Sequence, residues 1–261
     1  MENNVTKIEK EGVSYICAPD LKKQHINKFI SFTPFEIERC AQFSIDMMNN
    51  KNKPRGKHAK ENRQRDDEEY LFNWFIGSLG EVATYNKALK STIDCSPVDL
   101  TMIEGFDNQD FIFFDKFPIS VKSTKHYGGN MLLEDDKYDL DALYLHSEGG
   151  KTTPLEVTAF IGVAVGLDKY RFDEGLKKED YKKFLMSLNP KYHIYGFLGK
   201  NDLKKEKEKG NLFLKHTIIS GKTKMEENNV VIRLDALRPF EGLIKLKEKI
   251  LKEKNEEIEI R

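Results

Sequence analysis

Long apolar runs are missing from this chain. No stretch approaches the roughly 18 consecutive apolar residues that a membrane-crossing helix requires, and the opening MENNVTKIEKEG carries no apolar segment of the kind a secretory leader has. The expectation is a cytoplasmic protein with no membrane partner. Cysteine is scarce and odd in number. Cys17, Cys40 and Cys95 are widely spaced and match neither a disulfide framework nor a zinc knuckle, so they read as buried or idle thiols of a reducing compartment. A surplus of one charge is missing too, with 43 basic residues against 43 acidic. A protein dedicated to coating nucleic acid is usually basic overall, so any case for DNA binding has to rest on local charge. Internal repeats are absent. The 261 residues suffice for one large domain or a core with an appendage, and fall short of two full-sized domains.

The chain does carry strong local signals. In Ser31-Phe-Thr-Pro-Phe-Glu36, Thr33 suits an N-cap, Pro34 the first helical position and Glu36 the closing member of a capping box. Phe35, Ile37, Ala41, Ile45 and Met48 then recur at helical spacing, which predicts a helix over 34–49. Residues 51–65, KNKPRGKHAKENRQR, contain seven Lys or Arg and one acidic residue, the composition of a solvated loop. Asp66 to Glu69 open a second helix with charges that suit its dipole. That helix, 71–89, is apolar on most faces, with Gly77 and Gly80 allowing close approach of a neighbour. Strand-like runs follow at Val98–Ile103, Asp110–Phe114, Pro118–Ser123, Ala142–His146 and Leu155–Val165. Beyond Gly166 the pattern predicts a short helix near 178–187, strands at 192–198, 212–219 and 229–234, and a terminal amphipathic helix containing Leu243, Ile244, Leu246, Ile250 and Leu251. This order predicts an α/β or α+β domain built on a mixed central sheet flanked by helices.

Three residues in this order carry chemistry. Glu81 lies on the buried helix, where an unpaired carboxylate is costly and is usually paired or metal-bound. Asp110 opens a strand beside a tight turn. Lys122 lies in an apolar strand with Ile119 and Val121, where it needs a carboxylate or phosphate partner. Taken singly, they read as a salt-bridged core glutamate, a turn aspartate and an edge-strand lysine that blocks aggregation. Taken together, they suit phosphodiester hydrolysis. Magnesium takes oxygen ligands, commonly one or two carboxylates plus waters. It activates a bound water, while a lysine orients that water or stabilises charge on the phosphate.

Gly80-Glu81, Asp110-Phe111 and Ile119-Ser-Val-Lys-Ser-Thr124 resemble the PD-(D/E)XK nuclease superfamily, to which many type II restriction endonucleases belong. The resemblance covers 71–165. It implies a restriction-endonuclease-like core, Asp110 as central metal ligand, Glu81 as an auxiliary ligand, Lys122 as catalytic lysine, and Mg²⁺ as cofactor with Mn²⁺ able to substitute. It also implies double-stranded DNA as substrate. With one site per chain, a homodimer is needed to cut both strands. Three regions follow: an N-terminal helical region 1–70 with its basic loop, a nuclease-like core 71–165, and 166–261 completing the core or contacting DNA.

The family pattern has an acidic residue where this chain has Ser120. Three explanations stand side by side. A carboxylate comes from elsewhere, with Glu81, Asp107, Asp115 and Glu134 as candidates; or the fold binds DNA without cutting; or the serine is an introduced change. A phage or mobile-element nuclease acting on branched DNA is a further alternative. For DNA contact the candidates are Lys51, Lys53, Arg55, Lys57, Lys60, Arg63 and Arg65 of the basic loop, with Lys125, His126 and Tyr127 just past the catalytic strand. Residues 128–139, GGNMLLEDDKYD, resemble the loop that follows that strand in such nucleases, with Glu134 to Asp136 at a turn or helix start. His193 and His216 read as structural, and KKEKEK at 204–209 as a solvated face.

Overall fold

A computed structural model describes residues 5–10, 13–17, 28–49, 67–101, 110–125, 129–138, 143–148, 151–219, 223–225 and 227–259. The basic loop 51–65, Asp107, His126 and Tyr127 lie outside the described residues. The fold is α/β. Its centre is a mixed five-stranded sheet in the order β3 (Ile30–Ser31), β10 (Lys191–Gly199), β9 (Ala159–Gly166), β5 (Phe117–Lys125), β4 (Phe111–Phe113). Strands β5 and β9 run parallel, and every other pairing in this sheet is antiparallel. The sheet draws on residues 30–199, and β10, beyond residue 166, is one of its inner strands.

One face of this sheet is covered by helices α1 (Pro34–Asn49) and α2 (Asp67–Lys90). The predicted capping box starts α1. Thr33 N donates to Glu36 Oε2 at 2.7 Å, and Glu36 N to Thr33 Oγ1 at 3.3 Å. The other oxygen of Glu36 accepts from Asn86 Nδ2 at 2.6 Å, which ties α1 to α2. Helix α2 opens on three acidic residues, and Glu68 Oε1 caps the backbone N–H of Phe172 at 2.7 Å. Phe75, Leu79 and Val82 of α2 pack with Phe111, Ile119, Val121, Ile161 and Val163 of the sheet. Each such large apolar side chain contributes about 1.5–3 kcal/mol when fully buried. Gly80 makes the closest approach. A Cβ there would stand 1.8 Å from Ser123 Oγ and 3.0 Å from Ser123 Cβ.

The opposite face meets a second sheet in the order β11 (Leu212–Phe213), β14 (Asn229–Arg233), β6 (Asn130–Glu134). Phe160, Ala164 and Leu198 of the central sheet pack there with Met131, Leu133, Val230 and Ile232. Val231 points the other way, into a small core with Ile16, Phe213 and Met225. Ile16 belongs to a third sheet of β1 (Thr6–Lys10), β2 (Val13–Cys17), β12 (Ile218–Ile219) and β13 (Thr223–Lys224). Strands β7 (Tyr144–Glu148) and β8 (Lys151–Leu155) form a separate ribbon. Helix α3 (Tyr181–Ser187), preceded by a 3₁₀ turn, matches the predicted 178–187 element. The terminal helix α5 (Gly242–Glu259) docks Leu243 and Leu246 onto the main core.

Three expected strands need correction. Val98–Thr101, the described part of the expected strand Val98–Ile103, joins no ladder. Asp99 Oδ1 accepts from Thr101 N at 2.8 Å and Thr101 Oγ1 at 2.7 Å, a local turn that competes with pairing. The edge of β4 is bridged instead by Cys95 to Phe113. The run Leu155–Val165 is two strands, β8 and β9, because Glu156–Thr158 breaks the ladder and Thr158 N turns to Pro118 O at 2.8 Å. The run 212–219 is also two strands, split where His216 takes a positive φ of 76° and Thr217 N returns to Leu214 O. The stretch 204–209 ends helix α4 (Lys200–Glu208); Lys204, Lys205, Glu208 and Lys209 are exposed as expected of a solvated face, while Glu206 is 1% exposed and paired with Lys209 at 2.9 Å.

The contact at Gly80 sets the distance between α2 and β5. Gly80→Ala should lower stability by about 1–3 kcal/mol through overpacking, measured by denaturant unfolding. Ser123→Ala in the same chain should recover part of that loss by removing the nearest atom.

Candidate active site

Strand β4 is short, and its last pair with β5 is Phe111 with Ile119. Beyond that pair the backbone of β5 has no β4 residue to bond. Asp110 fills the gap. Its own N–H donates to Ile119 O at 3.1 Å, and its Oδ2 accepts from Val121 N at 2.5 Å and from Ser120 Oγ at 3.2 Å. The aspartate at the start of the strand is therefore held by the edge of the neighbouring strand, and Ser120 touches the Asp110 carboxylate directly.

Alternation along β5 divides its side chains between two faces. Phe117, Ile119 and Val121 belong to the helical core, and Ser123 lies under Gly80. Ser120 and Lys122 face the second sheet. The cross-strand partner of Ser120 is Phe160, and Tyr138 packs edge-on against the Phe160 ring at 5.1 Å and 86°. The Lys122 ammonium is near enough to the Tyr138 hydroxyl for its charge to be felt there. Burial lifts the Tyr138 phenol above its ordinary value, the Lys122 ammonium pulls it down, and the charges of Asp110 and Glu134 both push it up. These four groups thus belong to one electrostatic neighbourhood, together with Ser120.

Glu134 ends β6, pairs with Asn229, and lies 3.4 Å from Lys137 Nζ with its side chain 47% exposed. Residues 130–134 were expected as part of a loop. They form a strand because Met131 and Leu133 alternate into the second core against Ile232 and Val230. Asp135–Lys137 then form the expected turn, a single 3₁₀ turn. The other candidates for the missing carboxylate are placed differently. Asp115 is exposed in the tight turn of the β4–β5 hairpin, with φ of 57°, at the opposite end from Asp110. Glu81 follows Gly80 and is partly buried. Its charge is felt at Cys40 of α1. Burial pushes that thiol up to about 12, a hydrogen bond with Ser78 opposes the rise, and Glu81 adds to it. Glu81 thus lies near Cys40 of α1.

Lys125 is partly buried, with its Nζ 5.3 Å from the centre of the Tyr170 ring. Burial holds it below the ordinary lysine range, with Glu69 and Glu68 opposing that shift and Arg171 reinforcing it. His193 is packed against Phe29 and Tyr195, as expected of a structural histidine. Sequence reasoning missed Tyr138. It lies 16 positions after Lys122, on a separate layer, and no motif links the two.

Among the described residues, no three His, Cys, Asp or Glu side chains form a ready metal cage. Magnesium does not require one, because it retains waters and takes one or two carboxylates. Asp110 and Glu134 are hard oxygen donors, the kind that magnesium takes. No protein-family model, curated protein or solved structure matches the chain.

Asp110 holds β5 as well as carrying charge, and two substitutions separate these roles. Asp110→Ala strands the Val121 N–H and should cost about 1–3 kcal/mol. Asp110→Asn retains an oxygen acceptor and should keep most of that stability. Thermal and denaturant unfolding of the two variants checks the difference.

Proposed function

We propose that the chain is a Mg²⁺-dependent endodeoxyribonuclease that hydrolyses phosphodiester bonds of double-stranded DNA, of the restriction-endonuclease type and working as a homodimer. The observation that supports this reading is the convergence of Asp110, Ser120 and Lys122 at the end of the β4–β5 pairing, with Glu134 acting on the same neighbourhood. Asp110 and Glu134 would hold the metal, with Mn²⁺ able to substitute. When bound, the metal supplies a water of lowered pKa and steadies charge on the scissile phosphate. Lys122 presents a fixed ammonium to the phosphate oxygens. Ser120 donates to Asp110 and so orients that carboxylate. In this scheme Glu134 takes the part of the acidic residue that the family pattern has at position 120.

The test is cleavage of supercoiled plasmid DNA with Mg²⁺. The chain should nick or linearise it, and EDTA should stop the reaction. Asp110→Asn and Lys122→Ala should each slow cleavage by about 10²-fold or more, the scale of losing one preorganised charge-stabilising group. Glu134→Gln should do the same. If Asp110→Asn and Lys122→Ala both cut at the starting rate, the assignment is wrong.

Ser120 favours a second reading, a DNA-binding protein on this fold that does not cut. Labelled DNA titrated with and without Mg²⁺ separates the two. Retention without cleavage, and no cleavage gained by Ser120→Asp, would establish the binder.

A further inference from the structure

Glu134, Asp135 and Asp136 put three acidic residues in a row where the chain leaves β6. Like charges this close repel one another, so a turn built from them needs a cation to hold its shape. The closing hydrogen bond of the turn is long, with Tyr138 N at 3.4 Å from Asp135 O, against about 2.9–3.0 Å for an ordinary amide bond. Its start is tied by Asp135 N, which donates to Asn228 O at 2.8 Å. We propose that Lys207 is a positioning residue of the candidate site, fixing this turn and with it the end of β6 that carries Glu134. The catalytic consequence rests on the nuclease reading, and the pin itself does not.

Lys207 Nζ donates to Tyr138 O at 2.5 Å and to Asp135 O at 3.3 Å, and it pairs with Asp135 Oδ1 at 2.9 Å. An ammonium has three N–H donors, and three oxygens of one turn surround this one. The Lys207 side chain is only 11% exposed, so salt in the solvent screens the pair little. Helix α4, which carries Lys207, is itself anchored near both ends. Asp202 accepts from Gly199 N at 3.2 Å and from Arg238 Nη2 at 2.6 Å. Glu206 accepts from Asn211 Nδ2 at 2.5 Å and pairs with Lys209. On the other side of the turn, the Tyr138 ring stands edge-on against Phe160, the cross-strand neighbour of Ser120, whose hydroxyl meets Asp110 at 3.2 Å. A chain of neighbours therefore runs from α4 through the turn to Asp110.

Packing alone does not call for a cation at this position. A methionine would fill the same space and bury no charge, whereas an ammonium taken out of water is costly unless its donors are met. Here they are met by the turn that directly follows Glu134. In the nuclease reading Glu134 holds the metal with Asp110. A misplacement of about 1 Å, even from a change far from the chemistry, can cost about 10²-fold in rate. A pinned turn therefore bears on metal affinity and turnover, and little on the binding of DNA.

Two measurements on the full chain test this. The first is hydrogen–deuterium exchange, read by peptide mass spectrometry over residues 134–138 with 159–165 of β9 as reference. Lys207→Met should speed exchange over 134–138 severalfold and leave β9 unchanged. Lys207→Arg, which keeps the charge and its donors, should restore part of the protection. If Lys207→Met folds poorly by circular dichroism, Asp135→Asn removes the ion pair from the other side and should show the same pattern more weakly. Exchange over 134–138 that stays at the starting rate in the folded variants overturns the proposal, whether or not the chain cuts DNA. The second is Mn²⁺ titration followed by electron paramagnetic resonance, with plasmid cleavage in Mg²⁺ beside it. Lys207→Met should raise the Mn²⁺ Kd severalfold and lower kcat about tenfold with KM for DNA unchanged, and Lys207→Arg should recover part of both. A turn that loosens while Mn²⁺ affinity and kcat hold overturns the positioning role and leaves a merely structural pin. An unaltered chain that neither binds Mn²⁺ nor cuts DNA removes the nuclease reading, and the exchange result then decides the pin by itself.

Discussion

The parallel pairing of β5 with β9 is the constraint from which the rest of this structure follows. Parallel ladders are stable chiefly when both faces are shielded from water. Strand β9, AFIGVAVG, has no charged residue and is buried along nearly all its length. It sends Ile161, Val163 and Val165 to the helical core and Phe160 and Ala164 to the second. Two covers are therefore required. Helices α1 and α2 supply one, and the β11–β14–β6 sheet supplies the other. Gly162 lets the second cover come close. A Cβ there would stand 2.4 Å from Leu237 and 2.9 Å from Leu234.

The candidate site occupies the place where this arrangement is incomplete. The antiparallel edge strand β4 stops while β5 continues with β9, leaving edge N–H groups that need acceptors. Asp110 supplies one from its side chain. A carboxylate used to complete a sheet is thereby placed next to the first inward-facing side chains of β5. Because strand side chains alternate, the same strand delivers Val121 and Ser123 to the helices and Ser120 and Lys122 to the second sheet. A lysine between two apolar layers must find polar partners, and the charge of Lys122 is felt at Tyr138, as are those of Glu134 and Asp110.

The elements most legible in the sequence were those whose cause lies within a few neighbouring residues. The Thr33–Glu36 capping box, the helix it starts, the buried helix around Gly80 and the strands at 192–198 and 229–234 all took the form their local pattern predicted. Failures came where local and distant forces disagreed. Val98–Thr101 has strand-like residues, yet the Asp99 carboxylate captures its own backbone two residues on. Within 204–209, whose Lys204, Lys205, Glu208 and Lys209 are exposed as their composition predicts, Glu206 alone is buried, beside the fully buried Leu203. Residues 130–134 look like part of a glycine-led loop, and only the partner strand β14, about a hundred residues later, makes them a strand.

The site divides in the same way. The sequence by itself determined which side chains Asp110, Ser120 and Lys122 would be neighbours, since a turn and two short strands bring them together with little help from elsewhere. It also determined the α/β character, which follows from hydrophobic period. Only the tertiary structure decided that Tyr138 would come near Lys122, that Glu134 would act on the same neighbourhood while Asp115 would not, and that Lys125 would rest on Tyr170. Those contacts join layers rather than neighbours. Their formation depends on how two sheets and a helix pack around one apolar strand, and side-chain packing across layers leaves no periodic trace in the chain.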